Sequence, residues 1–143
     1  MKRVLTVWLV CMSISGIAIA ATPEVPPIVT AGLEAYQKSG FKAALDLWMK
    51  GSPMESDKTS LVNITGAIAS IETAYGKMTG YEVVKTFSLS PSTLRVYLVI
   101  NYEEGPLFAS FYCYKSKDGW IIPKFLCHTD VERIFPESLM KAE

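Results

Sequence analysis

At Tyr81 the hydrophobic period of this chain changes from that of a helix to that of a strand, and few folds accommodate the two halves. Upstream, Leu61, Ile64, Ile68, Ile71, Tyr75 and Met78 recur at steps of three and four, with Ala67 and Ala74 beside them. That spacing predicts an amphipathic helix over 61–78 whose stripe needs a surface to lie on. Downstream the period is two, and it predicts strands at 81–89, 93–103, 107–115 and 120–128. They are separated by Ser90-Pro91-Ser92, Glu104-Gly105-Pro106 and Ser116-Lys117-Asp118-Gly119, all residues with turn chemistry. Links this short join antiparallel neighbours, so the sheet is a meander. Pro123 has no N–H for a ladder, and it falls in the last strand, an edge where that is tolerated.

Before the long helix, residues 28–50 read as a helical hairpin. Ile28, Leu33 and Tyr36 form an apolar side, Ser39-Gly40 breaks it, and Phe41, Ala44, Leu45, Trp48 and Met49 resume it. Gly51-Ser52-Pro53 ends the second helix, because Gly accepts a left-handed cap and Pro cannot continue. After the sheet, Thr129 or Asp130 caps a last short turn closing on Ile134 and Phe135. The fold class expected is therefore α+β, three N-terminal helices packed on a curved four-stranded antiparallel meander. Two motif likenesses fail. The hairpin occurs once, whereas a tetratricopeptide solenoid needs about three or more copies. Gly51 to Thr59 is no phosphate loop, since Asp57 stands where the glycine before Lys58 belongs.

The N-terminus predicts export. Lys2 and Arg3 precede the apolar run Val4 to Ile19, and Ala18-Ile19-Ala20 has the small-x-small form read by signal peptidase. Residues 1–20 are read as a signal peptide, 21–27 as an extended proline-rich leader, and 28–143 as one cone-like domain of a periplasmic or secreted protein. Removing Lys2 and Arg3 leaves 12 basic against 14 acidic residues. No cluster of Lys and Arg offers a phosphate-binding surface, which excludes nucleic acid as a partner. No membrane association is expected after cleavage.

The strand faces bear on partners. Leu94, Val96, Leu98, Ile100 and Tyr102 make a clean core face, while Arg95, Tyr97, Val99, Asn101 and Glu103 make a mixed one. The third and fourth strands are apolar on both faces, and an antiparallel sheet washed by water on one side alternates more cleanly. Something covers the second face: a partner subunit, a curled-over element or a ligand. A homodimer through the sheet is the expectation, with a protein partner or small apolar ligand as the other occupants.

Three helices before a bent four-stranded meander resemble the nuclear transport factor 2-like superfamily, which shares its helix-on-curved-sheet shape with cystatins. The runs Tyr75-Gly76-Lys77, Gly80-Tyr81-Glu82, Ser90-Pro91-Ser92, Tyr102-Glu103, Gly105-Pro106-Leu107-Phe108 and Asp118-Gly119-Trp120 are similar to those of small exported bacterial proteins of that kind with no assigned activity. The resemblance covers residues 28–135 and implies architecture alone, since such folds host enzymes, carriers and dimerisation modules.

Candidate chemistry is sparse. His128 is the only histidine, and with Asp130 it would be the base of a small hydrolase or isomerase using a cone pocket. One histidine makes no metal site, and no cofactor is implied. Glu103-Glu104 fall in a turn, where no cavity is implied. Cys113 and Cys127 are the cysteines left after signal removal. Placing Lys115 opposite Trp120 sets them about five residues apart along the hairpin, too far for a disulfide, so both are expected unbridged. Trp48 and Phe111 are candidates to line a pocket between helices and sheet, and Arg95 and Tyr97 to contact something on the mixed face. The expected function is a non-enzymatic exported binding or accessory domain. A small enzyme is the alternative, and an inhibitor or immunity protein a third.

Overall fold

The computed structural model describes residues 23–141; the predicted signal peptide lies outside them. Helix α1 spans Pro27–Ser39 and α2 Phe41–Met49, a short 3₁₀ turn spans Pro53–Ser56, and α3 spans Lys58–Tyr75. Strands β1 (Met78–Ser90), β2 (Thr93–Tyr102), β3 (Pro106–Ser116) and β4 (Gly119–His128) follow. A 3₁₀ turn at Val131–Arg133 and α4 (Glu137–Met140) end the chain. The sheet is an open antiparallel meander in the order β1-β2-β3-β4. The α+β class and the three-helix, four-strand order are as the sequence predicts.

Several boundaries differ. The leader was expected to run to residue 27, yet Pro27 opens α1, where its fixed φ suits the first helical position, and Pro26 is fully buried. The third helix was expected over 61–78, yet it starts earlier and ends at Tyr75. Asp57 accepts a hydrogen bond from the backbone N–H of Ser60 (3.0 Å) and caps the start. At the other end, Gly76 takes φ 80° and donates its N–H to the Glu72 carbonyl. A side chain at Gly76 would also overlap Glu103. Met78, which continues the helical stripe, therefore opens β1: a single apolar residue satisfies either period, and the cap decides.

Strand β1 carries three residues more than its pairing with β2 uses. Thr79, Val84 and Leu89 have no partner in β2, one at each register shift, and such bulges bend and twist a strand. In β4, Ile122 and Pro123 together face Cys113, so the proline sits on an edge strand at a break in the ladder.

The main core lies between the helices and the inner face of the sheet. Val29, Leu33 and Tyr36 of α1 and Phe41, Ala44, Leu45, Trp48 and Met49 of α2 pack on Val96, Leu98, Ile100, Leu107, Phe111 and Ile122. Trp48 and Phe111 are both 0% exposed. Their rings meet edge-on at 4.9 Å between centroids, and Phe111 stacks on Phe125 at 5.4 Å. The space between the helices and the sheet is thus filled. Helix α3 carries the clearest pattern in the sequence but buries only Ile68 fully. Leu61, Ile64, Ile71 and Tyr75 are half-buried along the rim of the core.

A second, smaller cluster occupies the outer face, the side of the sheet away from the helices. Tyr97, Ile134 and Phe135 are its buried members, with Phe87, Val99, Phe108, Leu126, Val131 and Leu139 around them. The chain's own C-terminal segment therefore covers part of the face expected to need a cover. Asp130 starts that segment by accepting a hydrogen bond from the Glu132 N–H (3.1 Å). Phe135 then sets its ring against Tyr97 and Phe108, each at 5.5 Å.

Candidate functional site

Three of the cross-strand rows on the outer face hold the candidates. Phe87, Arg95, Tyr112 and Lys124 form the first; Lys85, Tyr97, Ser110 and Leu126 the second; Glu82, Val99, Phe108 and His128 the third. Phe135 caps the second and third rows at Tyr97 and Phe108, and of the first row Phe87 alone joins that cluster.

Arg95 is the centre of that row. Its guanidinium carbon lies 4.7 Å from the Tyr97 ring centroid and 4.5 Å from that of Tyr112. Each such cation–π contact is worth about 0.5–1 kcal/mol at an exposed site and more when water is excluded. Nε and one Nη donate to Ser110 Oγ at 3.4 Å, and Ser110 is itself fully buried. The group thereby lies against two rings with its Nε–Nη edge at Ser110. Burial raises the phenol pKa of Tyr97, and the Arg95 charge opposes that rise. Lys85 lies beside Phe87, its Nζ 6.0 Å from the ring centroid, and Lys124 pairs with Tyr112. Among the described residues, the ion pairs are Lys42–Asp46, Arg133–Asp130 and Lys141–Glu137. Lys85, Arg95 and Lys124 therefore have no carboxylate of the described residues within 4 Å. Arg95 and Tyr97 were legible as candidates from the mixed alternation of β2, whereas Tyr112, Lys85 and Lys124 join them only through register.

The other candidates stand elsewhere. Trp48 and Phe111 line no pocket, because both are sealed in the core. His128 ends the third row, and its Nδ1 accepts the Asp130 backbone N–H at 2.8 Å. Asp130 serves as the cap of the following turn and as the partner of Arg133 (3.6 Å). These two residues thus hold the corner where the chain leaves the sheet. Among the described residues no group of three or more His, Cys, Asp or Glu side chains has metal-site geometry, and no helix is long and apolar enough to cross a membrane.

Cys113 and Cys127 are free thiols on the inner face, paired with Leu94 and Ala109. Lys115 does face Trp120. The bulge in β4 moves Cys127 one step nearer, leaving four positions between the two along β3, about 13 Å at ~3.3 Å per residue. Burial pushes Cys113 up to about 12 and Cys127 up to about 11. At pH 8 the Cys127 thiolate fraction is then about one in a thousand, so both thiols should react with Ellman's reagent at least ~100-fold slower than free cysteine. Urea should restore the normal rate; fast reaction of either thiol in the folded protein would contradict this placement.

One site escapes the sequence reading. Where α1 and α3 end beside the β2–β3 turn, a cleft of about 490 Å³ is lined by Tyr36, Gln37, Glu72, Lys77, Met78 and Glu103. Glu103 was expected in a turn with no cavity and instead walls this cleft. The Tyr36 hydroxyl donates to Glu72 Oε1 (2.9 Å) and lies 2.8 Å from the Tyr102 hydroxyl. Burial and these bonds push the Tyr36 phenol far above its ordinary value, and burial takes Tyr102 to about 12. Neither hydroxyl is therefore a base near neutral pH, and Glu103 is engaged by the Lys77 N–H (3.0 Å). No signal in the sequence brings Tyr36, Glu72 and Glu103 together, since they come from three separate elements. An apolar groove of about 460 Å³ runs beside Trp120, Ile121, Ile28 and Leu47.

No protein-family model, curated protein or solved structure matches this chain.

Proposed function

We propose that the protein is an exported, non-enzymatic binding domain that works through the uncovered part of its outer sheet face. The observation that carries this reading is the Arg95 guanidinium lying against the rings of Tyr97 and Tyr112, with no carboxylate of the described residues within 4 Å. Tyr and Arg are the residues that concentrate binding energy at protein interfaces. Export rests on Lys2, Arg3, the apolar run to Ile19 and Ala18-Ile19-Ala20. The helix-before-meander order supports placing the chain near the nuclear transport factor 2-like architecture. A second copy docked face to face would set Lys85, Arg95 and Lys124 against one another, a like-charge cost. The reading therefore takes a partner of different chemistry. The enzymatic alternative has no geometric support at His128 or Asp130, which are occupied at the strand corner.

The test places a photo-crosslinking residue at Lys124, and in a second protein at Val62, an exposed position on α3. Both are expressed as the full chain in the source cell. Adducts confined to the Lys124 protein are expected. Equal labelling at both positions, or none at Lys124, would remove the reading. Light scattering on residues 21–143 adds an outcome: a concentration-dependent dimer broken by Tyr112→Glu would put a second copy on the face instead.

A further inference from the structure

We infer that the group recognised on this face is a carboxylate carried on the surface of a protein partner, taken end-on by the Arg95 guanidinium. The inference rests on the reading of the outer face as a binding surface and adds its chemistry. A guanidinium has five N–H donors in a fixed fork. Two of them, on Nε and one Nη, point to Ser110. The remaining donors lie at the Nη end, where no carboxylate of the described chain reaches. The Tyr97 and Tyr112 rings, 4.7 and 4.5 Å away, and the Ser110 hydroxyl restrict the side chain, so less rotamer freedom remains to be lost when an oxyanion docks bidentately. Lys85 and Lys124 flank the fork. Lys124 stands two strands away, on the order of 10 Å, and Lys85 is a diagonal neighbour at about 7–8 Å, both within reach of long flexible stems.

Shape decides between a surface group and a free metabolite. Five clefts of 280 to 490 Å³ are lined by other residues, and none of them by Arg95, Tyr97, Tyr112, Lys85 or Lys124. A small molecule takes most of its affinity from enclosure, which a sheet row with long side chains does not provide. A partner that lays an acidic patch across the row gains area from the half-buried Tyr112 and Phe87 and specificity from the fork.

The experiment follows the Arg95 side-chain Nε–Hε signal in the protein comprising residues 21–143. The probes are N-acetyl-hexaglutamate, its hexaglutamine analogue and inorganic phosphate. A saturable shift with hexaglutamate that weakens as salt is raised is expected, with none from hexaglutamine. Arg95→Lys keeps the charge but loses the fork and should weaken binding at least about tenfold. The signals of Phe135 and Phe108 report that this variant remains folded. Equal shifts from hexaglutamine would overturn the carboxylate inference while the face still binds. Tighter saturation by phosphate would replace the carboxylate by a phosphate. No shift from any probe, with crosslinks at Lys124 retained, would overturn the anion chemistry alone; loss of both would remove the binding reading as well.

Discussion

Trp48→Ala will cost about 3–5 kcal/mol of folding stability, the range for truncating a fully buried large aromatic. The indole is the hub where both helices and the sheet meet. It stands against Phe111 at 4.9 Å, Phe125 at 5.5 Å and Phe41 at 6.1 Å between ring centroids, and its Nε1 donates to the Val29 carbonyl at 3.3 Å. On the α1 side it lies directly on Gly32, where any side chain would overlap it. That bare backbone cannot fill the space the indole leaves, so the cavity stays open and its cost is added to the lost transfer energy. Domains of this size have about 5–15 kcal/mol in total, which makes the variant marginal at 37 °C. Urea unfolding followed by far-UV circular dichroism measures the loss, and Trp48→Phe should lose less. A loss below about 1 kcal/mol would mean that the helices do not pack on the sheet through this residue.

Phe135→Ala will cost about 3 kcal/mol, the lower end of the range for a buried phenylalanine because its site lies under a single short segment. Its effect on the surface is larger than on the core. Tyr97 is only 3% exposed, and Phe135 is the ring that covers it together with Phe108. Truncation uncovers Tyr97, Val99, Phe108 and Leu126 on a face whose central strands are already paired. The variant should bind a hydrophobic dye and associate as its concentration rises, whereas the parent protein should do neither at the same concentrations. If stability and dye binding are both unchanged, the C-terminal segment does not seal the outer face.

These two aromatic sites also show what a linear reading can and cannot reach. Trp48 and Phe111 were recognisable as apolar positions at core spacing, but whether they would line a pocket or fill the cone depended on the approach of Gly32 and the stacking of Phe125, contacts across 16 and 14 positions of chain. The doubly apolar alternation of β3 and β4 announced that the outer face needed a cover. It could not say that Ile134 and Phe135 would supply it, because nothing in a short terminal segment states where it will fold back. Likewise Glu103 sat beside Glu104 in a turn by pattern, and only the ends of α1 and α3 made its surroundings a cleft.

The change of period at Tyr81, the three turns and the proline in the last strand determined the class, the element order and the antiparallel meander, because local periodicity and turn chemistry act over a few neighbouring residues. Tertiary structure decided the rest. It chose the end of α3 at Gly76, the one-step register shift that sets Cys127 opposite Ala109, the closure of the outer face by Phe135, and the row that gathers Phe87, Arg95, Tyr112 and Lys124. Each of these depends on which residues meet across strands or between elements distant in sequence. Such meetings are set by bulges, caps and packing of the whole chain, which no single segment encodes.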